Sequence, residues 1–258
     1  MIADSRRLIV SLVVLVAWVG ITAFGGGLPT GEARPITDAV VHGIGLPFVL
    51  ASVFLIAVVV VFRWNDVGFG RPEPGTLRLL WLPALFIALF VTVALLVGLP
   101  PPDVIFFILV NTMLVGFSEE TMFRGVLFQG MRSRLSIWPA ILTTTAIFGA
   151  VHVLNALSTG EWVQAGVQAL AAFMSGILFM AILIRTRSLW PGIIVHGLWD
   201  GTLFLGVTGL MALTETTTPT APADVEIPWY FFIAPLIFVL PNFVYGLFLM
   251  RKVARTEA

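Results

Sequence analysis

Two adjacent carboxylates and a guanidinium, in the order Glu119-Glu120-x-x-x-Arg124, interrupt a stretch that otherwise reads as a membrane helix. An ionised group at the bilayer centre costs roughly 2.5–3.5 kcal/mol on insertion scales. Three such groups within six residues need mutual pairing, a water-filled cavity or a chemical task. Helical spacing separates their roles. Glu120 and Arg124 stand at i,i+4 on one face and can pair within the helix. Glu119 lies ~100° around from Glu120 and competes poorly for the same cation. Glu120 is then held in a structural ion pair, while Glu119 is left for general-base work on a water molecule. A packing pair that faces a polar cavity is the plainer reading of the same residues.

A second pattern, Phe148-x-x-x-His152-x-x-Asn155, puts three side chains on one helix face. Alone, a histidine in an apolar helix serves packing as readily as catalysis. A third, His196-x-x-x-Asp200, repeats the i,i+4 relation, and an intrahelical hydrogen bond that fixes the imidazole tautomer would account for it. Gly197 and Gly201 form a GxxxG beside that pair, which lets another helix come close. The other apolar segments hold no Asp, Glu, Lys, Arg or His. Every deep ionisable residue therefore belongs to one set, and the cost of inserting these groups favours gathering them in one polar cavity. At 1.5 Å per residue from the nearest arginine or serine of the basic connections, Glu120, His196 and His152 lie about 18, 13 and 24 Å deep. Tilts of ~20° can absorb much of that spread.

The elements that must position these groups are apolar helices. Hydrophobic residues are 59% of the 258 and charged residues 11%, against a soluble norm of about a quarter charged. Eight segments are near the ~20 residues that cross ~30 Å of hydrocarbon: about Leu8–Gly27, Ile44–Phe62, Leu79–Gly98, Val104–Gly130, Trp138–Leu157, Trp162–Ile184, Leu189–Met211 and Trp229–Met250. The expected fold is an all-α polytopic bundle of about eight transmembrane helices, a single domain over 1–258. Its core at 104–205 places a polar site between the fourth, fifth and seventh helices. The first apolar run exceeds the 7–15 residues of a signal-peptide h-region and is expected to be retained.

Basic residues mark one set of connections: Arg6, Arg7, Arg63, Arg71, Arg78, Arg132, Arg134, Arg185, Arg187, Arg251, Lys252 and Arg255. The other set has Arg34 alone. The positive-inside rule then puts both termini in the cytoplasm after an even number of crossings. Ser136 and Ser188 are expected to cap the fifth and seventh helices, each followed by a proline in the first turn. Thr214–Glu226, rich in Thr and Pro, reads as an external loop. Zero net charge offers no bulk field for nucleic acid. The absence of cysteine excludes thiolate chemistry and disulfides.

The three motifs, in this order on late membrane helices, resemble the CAAX protease and bacteriocin-processing (CPBP, or Abi) family of intramembrane endopeptidases, which includes the type II CAAX prenyl endopeptidases. The resemblance covers roughly residues 104–205, with Val67-Gly-Phe-Gly-Arg-Pro72 as weaker support. It implies hydrolysis of peptide bonds in membrane-associated protein or peptide substrates, at a site reached from the cytoplasmic side. Glu119 would activate a water, His152 would help to hold it, and His196 and residue 200 would face the oxyanion. Glu120, Arg124, Phe148 and Asn155 would support them. Asp200 departs from the Asn often found at its position. A carboxylate donates no hydrogen bond unless protonated, so Asp200 would orient His196 or ligate a metal. Glu119, His152 and His196 would make a nitrogen–oxygen zinc set, and both metal-free and metal-dependent mechanisms follow from these residues. The small size and lack of a recognised sorting signal fit a bacterial plasma-membrane protein. Two other functions suit buried Glu, His and Asp: a proton-coupled transporter, and an immunity or binding protein of the same fold without catalysis.

Overall fold

A computed structural model describes residues 2–25, 35–217, 229–251 and 253. The apolar segments all form helices: α1 (Ile2–Phe24), α2 (Leu46–Val61), α3 (Trp81–Val97), α4 (Pro102–Arg132), α5 (Ile137–Thr159), α6 (Trp162–Thr186), α7 (Trp190–Thr217) and α8 (Trp229–Met250). No strand occurs among the described residues. The fold is an all-α polytopic membrane bundle, as composition requires. Six of these helices are long and apolar enough to cross a membrane. The other two, α2 and α3, have 16 and 17 residues, about 24–26 Å at 1.5 Å per residue. That is short of the ~30 Å hydrocarbon layer, so length and composition establish six of the eight expected crossings.

Local sequence explains most helix ends. Pro47 and Pro102 occupy first-turn positions, where a missing N–H costs nothing. Ser188 behaves as expected at the start of α7: its Oγ accepts from the Trp190 N–H at 3.3 Å and donates to the Gly70 carbonyl at 2.7 Å. Ser136 occupies the N-cap of α5 with extended backbone, but its side chain makes no capping bond. Helix α7 runs on to Thr217, through the start of the stretch expected to be a loop. Residues 218–226 of that stretch lie outside the described residues.

Small residues set the crossing of α4 and α7. A Cβ on Gly116 would lie 2.9 Å from the Gly197 backbone nitrogen, and one on Gly201 would lie 2.9 Å from Thr112 Oγ1. The GxxxG of α7 therefore packs on α4, and this close crossing brings the paired glutamates against His196. Helix α6 packs on α5 and α8 behind them. Aromatic edges fill the centre, with Trp18 on Phe123 at 5.4 Å and Phe123 on Phe148 at 4.9 Å.

The arginine-bearing end is knitted together. Arg7 grips Asp66 through two hydrogen bonds of 2.6 and 2.7 Å, and that bond holds the Asp66 carboxyl below its usual range. Gly68 accepts from the Leu189 N–H at 2.7 Å, and the Phe69 carbonyl accepts from Trp190 Nε1 at 3.1 Å. The Phe69 ring stacks on Phe117 at 5.9 Å. Val67, 2% exposed, rests on Gly125. At the other end Asn111 ties the segment before α2 to α4, donating to Val40 and Gly43 carbonyls and accepting from the Gly45 N–H.

Candidate active site

Helix α4 changes its winding where the chemistry begins. It is α-helical through Glu120, π-helical over Thr121–Leu127, and α-helical again from Phe128. Such π turns recur at functional sites, and apolar periodicity gave no sign of this one. Arg124 lies inside it. Its guanidinium stands 3.2 Å from Glu120, and both side chains are 1% exposed. The ion pair read from the spacing is present, yet no Arg124 N–H reaches hydrogen-bond geometry. The cation lies over the Phe148 ring at 4.1 Å and the Phe179 ring at 5.2 Å, where the ring quadrupoles favour positive charge. Gly176 on α6 makes the room: a Cβ there would stand 3.2 Å from Arg124 Nη2.

His196 is the hub. Its Nδ1 donates to Glu120 Oε1 at 2.9 Å. Its Nε2 stands 3.6 Å from Glu119 Oε2 and 3.4 Å from Asp200 Oδ2. Phe179 stacks on the ring at 4.8 Å with planes 12° apart. The imidazole is thus fixed in orientation and held between acceptors on both nitrogens. The two glutamates differ as the helical spacing requires. Glu120 is tied to Arg124 and His196, whereas Glu119 Oε2 has no hydrogen-bond partner.

His152 sits where α5 tightens into a 3₁₀ turn over His152–Asn155. Its Nδ1 donates to the Phe148 carbonyl at 2.8 Å, which leaves the Nε2 lone pair as an acceptor when the ring is neutral. Phe148 touches the His152 ring edge at 5.0 Å. Asn155 donates to Gln168 Oε1 on α6 at 2.9 Å.

Two cavities meet at these groups. One of about 950 Å³ reaches His152, His196, Asp200, Asn155 and Phe148, with a wall from α6, α7 and α8. A second of about 530 Å³ reaches Glu119, His152, Asp200 and Asn155 from the α1, α2 and α4 side. Glu119, His152 and Asp200 thus border one space, although Glu119 and His152 make no hydrogen bond with each other among the described residues. The deep ionisable set does converge. The candidate zinc set is different. No group of three His, Asp or Glu side chains among the described residues is arranged to hold a metal ion. Glu119, His152 and His196 do not fit a metal as they stand.

The sequence reading missed three residues of the site. Phe179 stacks on His196, Gln168 holds Asn155, and Asn242 of α8 lines the larger cavity at 2% exposure with neither amide atom paired. Apolar or uncharged, they fall outside a search for ionisable groups.

Comparison with known proteins agrees with the motifs. A 28% identity over a 214-residue alignment links the chain to an uncharacterized 24.3 kDa protein of Escherichia coli, covering 71% of this chain and 94% of that one. No solved structure matches. Residues 101–202, which hold α4 through Asp200 and so every motif of the site, match the family model described as type II CAAX prenyl endopeptidase Rce1-like. Over that segment the chain is similar to the Rce1-like CAAX prenyl endopeptidases that its motifs resemble.

Proposed function

We propose that the protein is an intramembrane endopeptidase that hydrolyses peptide bonds of membrane-associated chains by metal-free activation of water. The observation that carries this reading is the division of labour between neighbours: Glu120 is locked to Arg124 and His196, while Glu119 keeps an oxygen without a hydrogen-bond partner beside a cavity it shares with His152 and Asp200. A water there has two acceptors for its two hydrogens, the Glu119 carboxylate and His152 Nε2. Glu119 takes one proton as the water oxygen bonds to the scissile carbonyl carbon. The carbonyl π electrons move to oxygen, and the His196 Nε2–H donates to that oxyanion in place of Asp200. The C–N bond then breaks, the carbonyl re-forms, and the proton on Glu119 passes to the amine nitrogen. Removing a positioned base of this kind costs about 10²–10⁴-fold in rate.

Asp200 is assigned the role of steering His196, since a carboxylate 3.4 Å from Nε2 is an acceptor rather than an oxyanion donor. We propose further that this end of the bundle and both termini face the cytoplasm, in a bacterial plasma membrane; the arginine-rich connections support that orientation through the positive-inside rule.

Purified protein in vesicles, offered a pool of quenched fluorescent peptides, is expected to cleave it equally with and without a chelator. Absence of cleavage sinks the protease reading. Cleavage that a chelator abolishes and added zinc restores would overturn the metal-free mechanism.

A further inference from the structure

One buried polar side chain at the larger cavity takes no part in the proposed hydrolysis. Among the described residues, two fully buried polar side chains line that cavity, His196 and Asn242. His196 has an acceptor beside each nitrogen. Asn242, on α8 and 2% exposed, has no such company: neither its Nδ2 nor its Oδ1 meets a hydrogen-bond partner. A carboxamide kept in that state is costly, and a structural use for it is close at hand. Pro241, inside the same helix, frees the Ile237 carbonyl by lacking an N–H, and neighbouring side chains commonly satisfy such groups in membrane helices. Asn242 does not do so.

Its level in the bundle is that of the reacting groups. Asn242 stands nine residues before Arg251, and His196 nine residues after Arg187, so at 1.5 Å per residue both lie about 13 Å from the arginine-bearing end. Helix α8 is pressed against α6 one turn further along, where a Cβ on Gly246 would meet the Leu178 Cα at 2.9 Å. The next residue of α6, Phe179, is the ring that stacks on His196. The wall contributed by α6, α7 and α8 is largely apolar, with Leu178, Val195, Phe238 and Val239. Ser175, also on it, spends its hydroxyl on the Ala172 carbonyl.

We infer that Asn242 binds the backbone of the substrate peptide beside the scissile bond, its Nδ2–H donating to a peptide carbonyl and its Oδ1 accepting from a peptide N–H. A peptide unit carries one donor and one acceptor, a carboxamide offers the complement of both, and a peptide laid against an apolar wall needs them satisfied. An apolar side chain at position 242 would favour the fold and leave the substrate's groups unmet. A buried water would also give the amide a partner, but peptide binding would then be indifferent to residue 242. The inference rests on the protease reading for the identity of the ligand.

Asn242→Leu in the full-length protein is compared with the unmodified protein on a quenched fluorescent leucine–alanine peptide. KM should rise about 10-fold with kcat little changed, the mark of lost ground-state binding, while the melting temperature holds or rises. An unchanged KM overturns the inference. So does a variant that melts lower, because the amide then has a structural partner. A scan of the peptide gives a second readout: methylating one backbone nitrogen at a time should cost the unmodified protein about 10-fold at one position, and Asn242→Leu nothing there. Equal penalties in both proteins at every position overturn the inference. Binding is read apart from cleavage, by fluorescence polarisation of the same peptide sequence bearing fluorescein. Binding weakened about 10-fold in Asn242→Leu supports the inference even without turnover, whose absence would sink only the protease reading. Equal binding by the two proteins overturns it.

Discussion

At the arginine-bearing end, backbone meets backbone: Asp66–Gly70 is pinned to the start of α7, and Arg7 clasps Asp66. Away from that end lie two cavities whose walls carry unpaired or singly bonded polar groups. The difference separates the residues that hold the bundle together from those free to meet a substrate. Between the two ends lie the neighbouring glutamates, and they divide in the same way. Glu120 faces the bonded interior and Glu119 the open space.

Breaking the bonded side should cost most. Arg124→Leu leaves Glu120 buried at 1% exposure without its cation, and removing one partner of such a pair costs about 3–5 kcal/mol. Denaturation in detergent should show that loss; a midpoint equal to the parent's would mean that His196 alone suffices for Glu120. Gly68→Val is next. Gly68 has φ of +102° and a Cβ there would come within 3.3 Å of Leu183 Cδ1, so strain of about 1–3 kcal/mol is expected.

The open side should respond in the other direction. Asn242→Leu removes a desolvated carboxamide with no partner, and a gain of about 1 kcal/mol in stability is expected from an isosteric apolar side chain. A loss would show that the amide has a structural partner. Arg7→Ala should have the smallest effect, at most about 1 kcal/mol, because Asp66 is 53% exposed and water and salt screen the pair. Its sign with pH is fixed. Asp66 is held below its ordinary carboxylate value by Arg7. The contribution is therefore full above about pH 4 and is lost as pH falls through the lower folded value. Melting curves of parent and Arg7→Ala should converge in acid; a gap that persists there would contradict the pairing.

The helices and the ionisable set were legible because hydrocarbon leaves few options: long apolar runs must be helical, and buried charges must meet. The Glu120–Arg124 pair and the packing face of Gly197 and Gly201 followed from helical spacing. The π turn over Thr121–Leu127 did not, since a single change in winding leaves apolar periodicity nearly intact. Nor did the stacking of Phe179 on His196, which depends on how α6 crosses α7. The packing of the arginine-bearing end was hidden for a related reason. Charge marks which connections share an end, but only the structure reveals that Val67 rests on Gly125 and Phe69 on Phe117.

The most direct test of the central claim is to set Glu119→Gln beside Glu120→Gln and measure both cleavage rate and melting temperature. Glu119→Gln should melt like the parent while cleavage falls about 10²–10⁴-fold, and Glu120→Gln should lose thermal stability. Parent-level cleavage by Glu119→Gln would contradict the assignment of Glu119 as the residue that activates water.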